Sequence, residues 1–210
     1  MYFIIPSLIA HDQQELDQRL QKITLLKPAW IQLDVMDGSF VPHTSLEFDI
    51  ILPKKNKYET HLMVQNPRAW FIKNHAMLHS VIVHYESKVH IHEMIKLARK
   101  YKKKIGVAIN PETPSDDVHQ YLNLIDKVLV MTVQPGKYGS RFIPAMQNKI
   151  KHLHELAPRL PIQVDGGINP KTLAICKAAG ASEFVVGSYI QKARNVKKAW
   201  HELDKALGVK

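Results

Sequence analysis

Short apolar runs rich in valine and isoleucine recur along the whole chain. Between them lie stretches in which apolar residues fall three and four apart. Eight runs have strand length: residues 3–8, 30–36, 58–64, 80–86, 104–110, 127–133, 161–167 and 183–188. Near-continuous apolar character marks strands covered on both faces. Helical spacing is clearest over residues 13–26, where Leu16, Leu20, Ile23 and Leu26 share a face, and over 91–101, with Ile91, Met94, Ile95 and Leu97. Residues 141–156, 171–179 and 196–207 repeat it, and the stretch after the second strand shows it least. Eight strand–helix repeats predict a single closed (β/α)8 barrel, a TIM barrel of the α/β class, over residues 1–210. An open doubly wound sheet is the alternative, but no G-x-G-x-x-G turn follows the first strand.

Polar and unusual residues gather where these strands end. Ser7 ends the first. Gln32, Asp34 and Met36, spaced by two, share one face of the second, as His61 and Met63 do on the third. His84 and Glu86 end the fourth, Asn110 the fifth and Met131 the sixth, before Gln134-Pro135-Gly136-Lys137-Tyr138-Gly139. Asp165-Gly166-Gly167 ends the seventh and Gly187-Ser188 the eighth. In a barrel these ends meet at one mouth. Taken singly, each has a plain reading: a hydrogen-bonded core histidine, a packed methionine, a helix-capping aspartate. Convergence changes that, because carboxylates in an apolar barrel are costly unless paired, hydrogen-bonded or bound to metal. Asp34, His61 and Asp165 therefore read as a site. Gly136, Gly139, Gly166, Gly167 and Gly187, in the last three loops, read as a phosphate cradle, since glycine lets backbone N–H groups approach an anion.

Composition adds limits. One cysteine, Cys176, excludes an intrachain disulfide and fits a reducing, cytoplasmic setting. The apolar N-terminus is short and lacks a basic flank, so it does not read as a signal peptide, and no run is long enough to span a bilayer. A net charge of +10 raises nucleic-acid binding as a possibility. No interleaved aromatics accompany it, so it reads as a lysine-rich solvated surface that also steers anions.

The runs Pro6-Ser7-Leu8, Asp34-Val35-Met36-Asp37-Gly38-Ser39-Phe40-Val41-Pro42, His61-Leu62-Met63-Val64, Met131-Thr132-Val133-Gln134-Pro135-Gly136, Val164-Asp165-Gly166-Gly167 and Val186-Gly187-Ser188, in this order and spacing, resemble ribulose-phosphate 3-epimerases over nearly the whole chain. The resemblance implies epimerisation of a ketopentose 5-phosphate at C3, with ribulose 5-phosphate and xylulose 5-phosphate exchanged through an enediolate. It makes Asp34 and Asp165 the two proton-transferring acids. It implies a divalent metal (zinc, iron(II) or manganese) on Asp34, His61 and Asp165. It places Ser7, Gln32, Met36, His61, Met63, Met131, Gly136, Gly139, Gly166, Gly167, Gly187 and Ser188 around the substrate, and it suggests a homo-oligomer.

This chain departs from the family pattern at several positions. Gln32 stands where a fourth metal ligand, a histidine, is usual; glutamine is a poor zinc ligand beside imidazole. His43 replaces the usual asparagine after Val-Pro. Gln134 precedes Pro135-Gly136, and Gly136-Lys137-Tyr138-Gly139 has one glycine fewer than usual. Three readings of Gln32 stay open: metal on the remaining ligands, metal-independent proton transfer with Gln32 as donor, or drift to another ketose phosphate or to binding without turnover. His43 and His84 are alternative imidazoles, and Lys137 either touches phosphate or faces solvent. An isomerase is the first expectation; a sugar-phosphate-binding barrel without efficient catalysis is the second.

Overall fold

The computed structural model describes residues 1–136 and 139–208. Its strands are β1 (Phe3–Leu8), β2 (Ile31–Asp37), β3 (Thr44–Ser45), β4 (Tyr58–Met63), β5 (Ser80–His84), β6 (Lys104–Ile109), β7 (Lys127–Met131), β8 (Ile162–Asp165) and β9 (Glu183–Val186). All but β3 run parallel, each paired to the next, and β9 pairs back onto β1 to close the barrel. β3 lies antiparallel against the end of β2. Around the barrel stand α1 (Gln13–Thr24), α2 (Pro67–Asn74), α3 (Ile91–Lys100), α4 (Met146–Leu156), α5 (Pro170–Ala178), α6 (Ser188–Gln191) and α7 (Val196–Leu207). No helix among the described residues is long and apolar enough to cross a membrane.

Local chemistry sets several boundaries. Asp12 caps α1 by accepting from the Glu15 N–H at 2.7 Å. Asn169 and Thr172 form a reciprocal capping box on α5, with Pro170 behind the cap. Four strands end two residues earlier than the apolar runs suggest. Glu86, Val133, Gly166 and Gly167 thus lie in the loops above the barrel, and Ser188 opens α6. Gly166 shows why β8 stops: its φ is +115°, and a β-carbon there would lie 2.3 Å from Val133 Cγ2. α4 starts at Met146 rather than 141, because Pro144 disfavours helix in the residue before it. α2 lacks an apolar stripe, so its sequence gives no periodic signal. No helix forms in residues 38–57, where buried Leu46 and Ile50 cover the barrel instead. The β6–β7 connection is a 3-10 segment, Ser115–Tyr121.

The principal core lies between barrel and helices, built from outward-facing residues such as Leu33, Leu62, Val83, Val107 and Phe184. The barrel interior is divided. One side is apolar, with Ile82, Ala108, Leu129, Met131 and Val133 in contact. The other holds two tiers of polar residues. Register sets the lower tier, Gln32 beside Glu59 and Gln163 beside Glu183, and the upper tier, Asp34 beside His61 and Met131 beside Asp165.

Candidate active site

The strand ends surround a cleft open to solvent. Ser7, Asp34, Met36, His61, Met63, Met131 and Asp165 line it from the strands, and Gly136, Gly139, Gly166, Gly167, Gly187 and Ser188 from the late loops. Gln32 does not line it. It sits one tier lower and is fully buried, behind the two acids.

Its amide instead ties the two acids together. Gln32 Nε2 donates to Asp34 Oδ1 and to Asp165 Oδ2, each at 2.7 Å. Its Oε1 accepts from Gln163 Nε2 at 3.3 Å. The reversed amide would set its oxygen against two carboxylates, so the neighbours fix its orientation. Burial raises the Asp34 pKa, with His61 opposing and the Asp165 carboxylate reinforcing the rise.

His61 faces both acids. Its Nδ1 lies 3.3 Å from Asp165 Oδ2 and 3.7 Å from Asp34 Oδ1. Burial alone would depress this imidazole, but the two carboxylates override it and lift its pKa to about 9. Behind it, His61 Nε2 meets His84 Nε2 at 2.8 Å, and His84 Nδ1 meets Glu86 Oε2 at 3.1 Å. The carboxylate fixes the proton on His84 Nδ1, leaving its Nε2 to accept from His61. Burial, with the neighbouring His61, pulls His84 down to about 4, so it stays neutral. Glu86 is anchored by the Asn110 N–H at 2.8 Å and by the Thr113 hydroxyl. His84 is therefore neither a free ligand nor a merely packed ring: it orients His61, as outer partners of ligating histidines do. The spacing of His84 and Glu86 by two residues was the available sequence signal for this pair.

The donor set suits a divalent cation. Ligand atoms of Asp34, His61 and Asp165 lie within 4.8 Å of one another. His61 Nδ1 is buried and takes no hydrogen bond among the described residues, an orphaned nitrogen aimed between two carboxylates. Gln32 turns N–H groups, not its oxygen, toward this centre, so it adds no fourth ligand. His43 is exposed on the loop leading to β3, with its carbonyl accepting from Gly38 N, and stands outside the cluster. Asp37 serves the loop rather than the cluster. Its carboxylate accepts from the N–H groups of Ser39, Phe40 and Gln65 at 2.7–2.9 Å, which hold it below the usual range against partial burial. Phe40, positioned by this turn, lies 4.7 Å from the His84 ring. Gln134 is exposed and donates to Glu112. Lys137 lies outside the described residues.

Residues not foreseen also meet the cleft: Ile9, Val133, Ser140, Ile168 and Val185. Most are apolar and carry no chemical signature in the sequence. Below the cleft, Gln163 and Glu59 link Gln32 to a buried ion cluster, since Gln163 Nε2 also donates to Glu59.

Comparison with known proteins agrees with this arrangement. A family model described as the ribulose-phosphate 3 epimerase family matches residues 3–191. The chain is 33% identical to a ribulose-phosphate 3-epimerase of Eremothecium gossypii, over 92% of this chain and 88% of that protein. It is also 33% identical to one of Bacillus subtilis, over 97% and 98%. Among solved structures, the 3-hexulose-6-phosphate synthase of Salmonella typhimurium superposes with a TM-score of 0.71 at 15% identity, covering 99% of this chain and all of that one, a likeness of fold. With the family match over most of its length, the chain belongs to the ribulose-phosphate 3-epimerase family.

Proposed function

We propose that the protein interconverts ribulose 5-phosphate and xylulose 5-phosphate, moving the C3 proton between Asp34 and Asp165 through an enediolate. The observation that carries this is the pairing of the two acids. They arrive from β2 and β8 at one cleft, and a single buried amide spans them at 2.7 Å each. Epimerisation needs one carboxylate to remove the proton on one face and one carboxylic acid to deliver a proton to the other. The raised pKa of Asp34 favours such a split. Ser7 hydrogen-bonds a substrate hydroxyl. Met36, Met63 and Met131 wall the reacting carbon and exclude water, which protects the enediolate from stray protonation. The backbone around Gly139, Gly167, Gly187 and Ser188 cradles the phosphate.

Asp34, His61 and Asp165 would hold a divalent metal, zinc, iron(II) or manganese, with His84 and Glu86 orienting the imidazole. When bound, such an ion supplies Lewis-acid polarisation of the ketone oxygen. A cytoplasmic place of work is supported by the single buried cysteine and by a likeness to a cytoplasmic isoform from rice. The resemblance also favours a homo-oligomer, which size-exclusion chromatography with light scattering would test.

The reading is tested by following C3 proton exchange and product formation from ribulose 5-phosphate in deuterated water, with and without added metal and with chelator. Asp34→Asn and Asp165→Asn should each lower turnover by about 10³-fold with unchanged circular dichroism. Wild-type turnover that survives both substitutions would show that other groups move the proton. Binding of the sugar phosphate with no exchange at C3 would make the barrel a binding protein.

A further inference from the structure

Among the described residues, the glycines and Ser188 of the proposed phosphate cradle carry no charge, although a phosphate ester carries close to two negative charges at pH 7. The glycines and Ser188 offer only backbone dipoles and one hydroxyl. A charge stands beside them. Lys192 follows Ser188 by four residues, and its N–H bonds the Ser188 carbonyl at 2.9 Å. One turn therefore sets the two side chains on the same face. A β-carbon built on Gly139 would lie 3.4 Å from Lys192 Nζ and 3.9 Å from Ser188 Oγ. The absence of a side chain at Gly139, where φ is +84°, leaves open the space between ammonium and cradle.

Two neighbouring cations, Arg19 and Lys22, are already engaged, while Arg141 lies exposed on the other side of Gly139. Arg19 is spent on Glu15, with contacts of 2.6 and 3.0 Å. Lys22 gives its ammonium to the Gln191 carbonyl. Lys192 is exposed, and its ammonium has no hydrogen bond or ion pair to any described residue.

We infer that Lys192 is the charged ligand of the substrate phosphate, a binding and specificity residue that favours a dianionic ketose phosphate over an uncharged ketose. The inference rests on the reading of the cleft as a sugar-phosphate site. An ammonium suits this role as a mobile point charge that approaches phosphate oxygens without demanding a fixed plane.

The test compares Lys192→Ala, Lys192→Glu and Lys192→Arg with wild type, with Lys205→Ala, on the last turn of α7, as a control for net charge. Readouts are KM and kcat for ribulose 5-phosphate and the inhibition constant of inorganic phosphate. Lys192→Ala should raise both KM and the phosphate inhibition constant about tenfold, with kcat changed far less. Lys192→Glu should raise them further, and Lys192→Arg should recover most of the loss. Melting temperatures should match wild type, since the side chain is exposed. If Lys192→Ala and Lys192→Glu leave both constants within twofold of wild type, or if Lys205→Ala shifts them equally, the inference falls while the epimerase reading stands. If wild type neither turns over ribulose 5-phosphate nor responds to phosphate, the reading of the cleft fails and takes the inference with it.

Discussion

Two clusters of buried charge occupy the same barrel, one tier apart. In the lower, Lys127 Nζ donates to Glu59 Oε2 at 2.7 Å and to Glu183, and Gln163 closes the remaining Glu59 oxygen. Burial would depress the Lys127 ammonium, but the two glutamates hold its pKa above the ordinary value. In the upper, Asp34, Asp165 and His61 meet with one imidazole nitrogen that makes no hydrogen bond to any described residue and a cleft above them. Each combines two carboxylates with one basic group, but in the lower one the base donates to both carboxylates. A buried cluster whose base bonds both acids, away from any cleft, has a structural role. One that keeps an orphaned donor atom beside a cleft is poised for a ligand. Gln163 and Gln32 join the two through a column of amides, so the lower cluster fixes the height and orientation of the bridge that holds the acids.

The largest effect is expected from breaking the lower cluster. Lys127→Met leaves Glu59, fully buried, without its cation. Removing one partner of a buried pair costs about 3–5 kcal/mol. A urea midpoint lowered to match, at unchanged m-value, is the expected result. A stability within about 0.5 kcal/mol of wild type would mean that the cluster contributes little and that the two tiers do not divide structure from function in this way.

This contrast was only half legible in the sequence. The upper tier could be read because Asp34, His61 and Asp165 each fall at a strand end and recur in recognisable runs. The lower tier could not. Glu59, Lys127, Gln163 and Glu183 come from four strands, and their meeting depends on register, which local periodicity does not encode. Gln32 was legible as a departure in residue type, but not in effect: nothing in the chain says that its amide nitrogen rather than its oxygen would face the acids. The existence and order of the eight barrel strands, though not the two-residue β3, followed from the valine- and isoleucine-rich runs. Their C-terminal limits did not, because apolar residues such as Val133 continue past the ladder to line the cleft.

A smaller effect should come from the bridge. Gln32→Leu removes both 2.7 Å donations to carboxylates, and hydrogen bonds to charged groups contribute about 1.5–3 kcal/mol each. Part of that loss is recovered when Asp34 takes up a proton. A stability loss of about 2 kcal/mol is expected in chelator, and a smaller one with added zinc. Gln32→His should strengthen zinc binding by at least about tenfold, read by calorimetry in the absence of substrate. Equal zinc affinity in Gln32→His and wild type would show that this position cannot reach the metal.

The most modest effect is a pH dependence rooted in the stacked histidines. His84 has a folded-state pKa near 4 against an ordinary value of 6.5, so the unfolded chain binds a proton that the folded one refuses. Its contribution is fully present above pH 6.5 and is lost as pH falls toward 4. His61 has the opposite sign: with a folded pKa near 9, its contribution is present below pH 6.5 and fades as pH rises toward 9. Together they predict a stability maximum between these windows in metal-free protein. His84→Gln should flatten the acid limb between pH 6.5 and 4 while leaving the alkaline limb in place. Urea midpoints measured at half-unit intervals from about pH 4.5 to 8.5 would decide it. An acid limb of unchanged slope in the variant would place the refused proton on another group and would remove His84 from the device that orients His61.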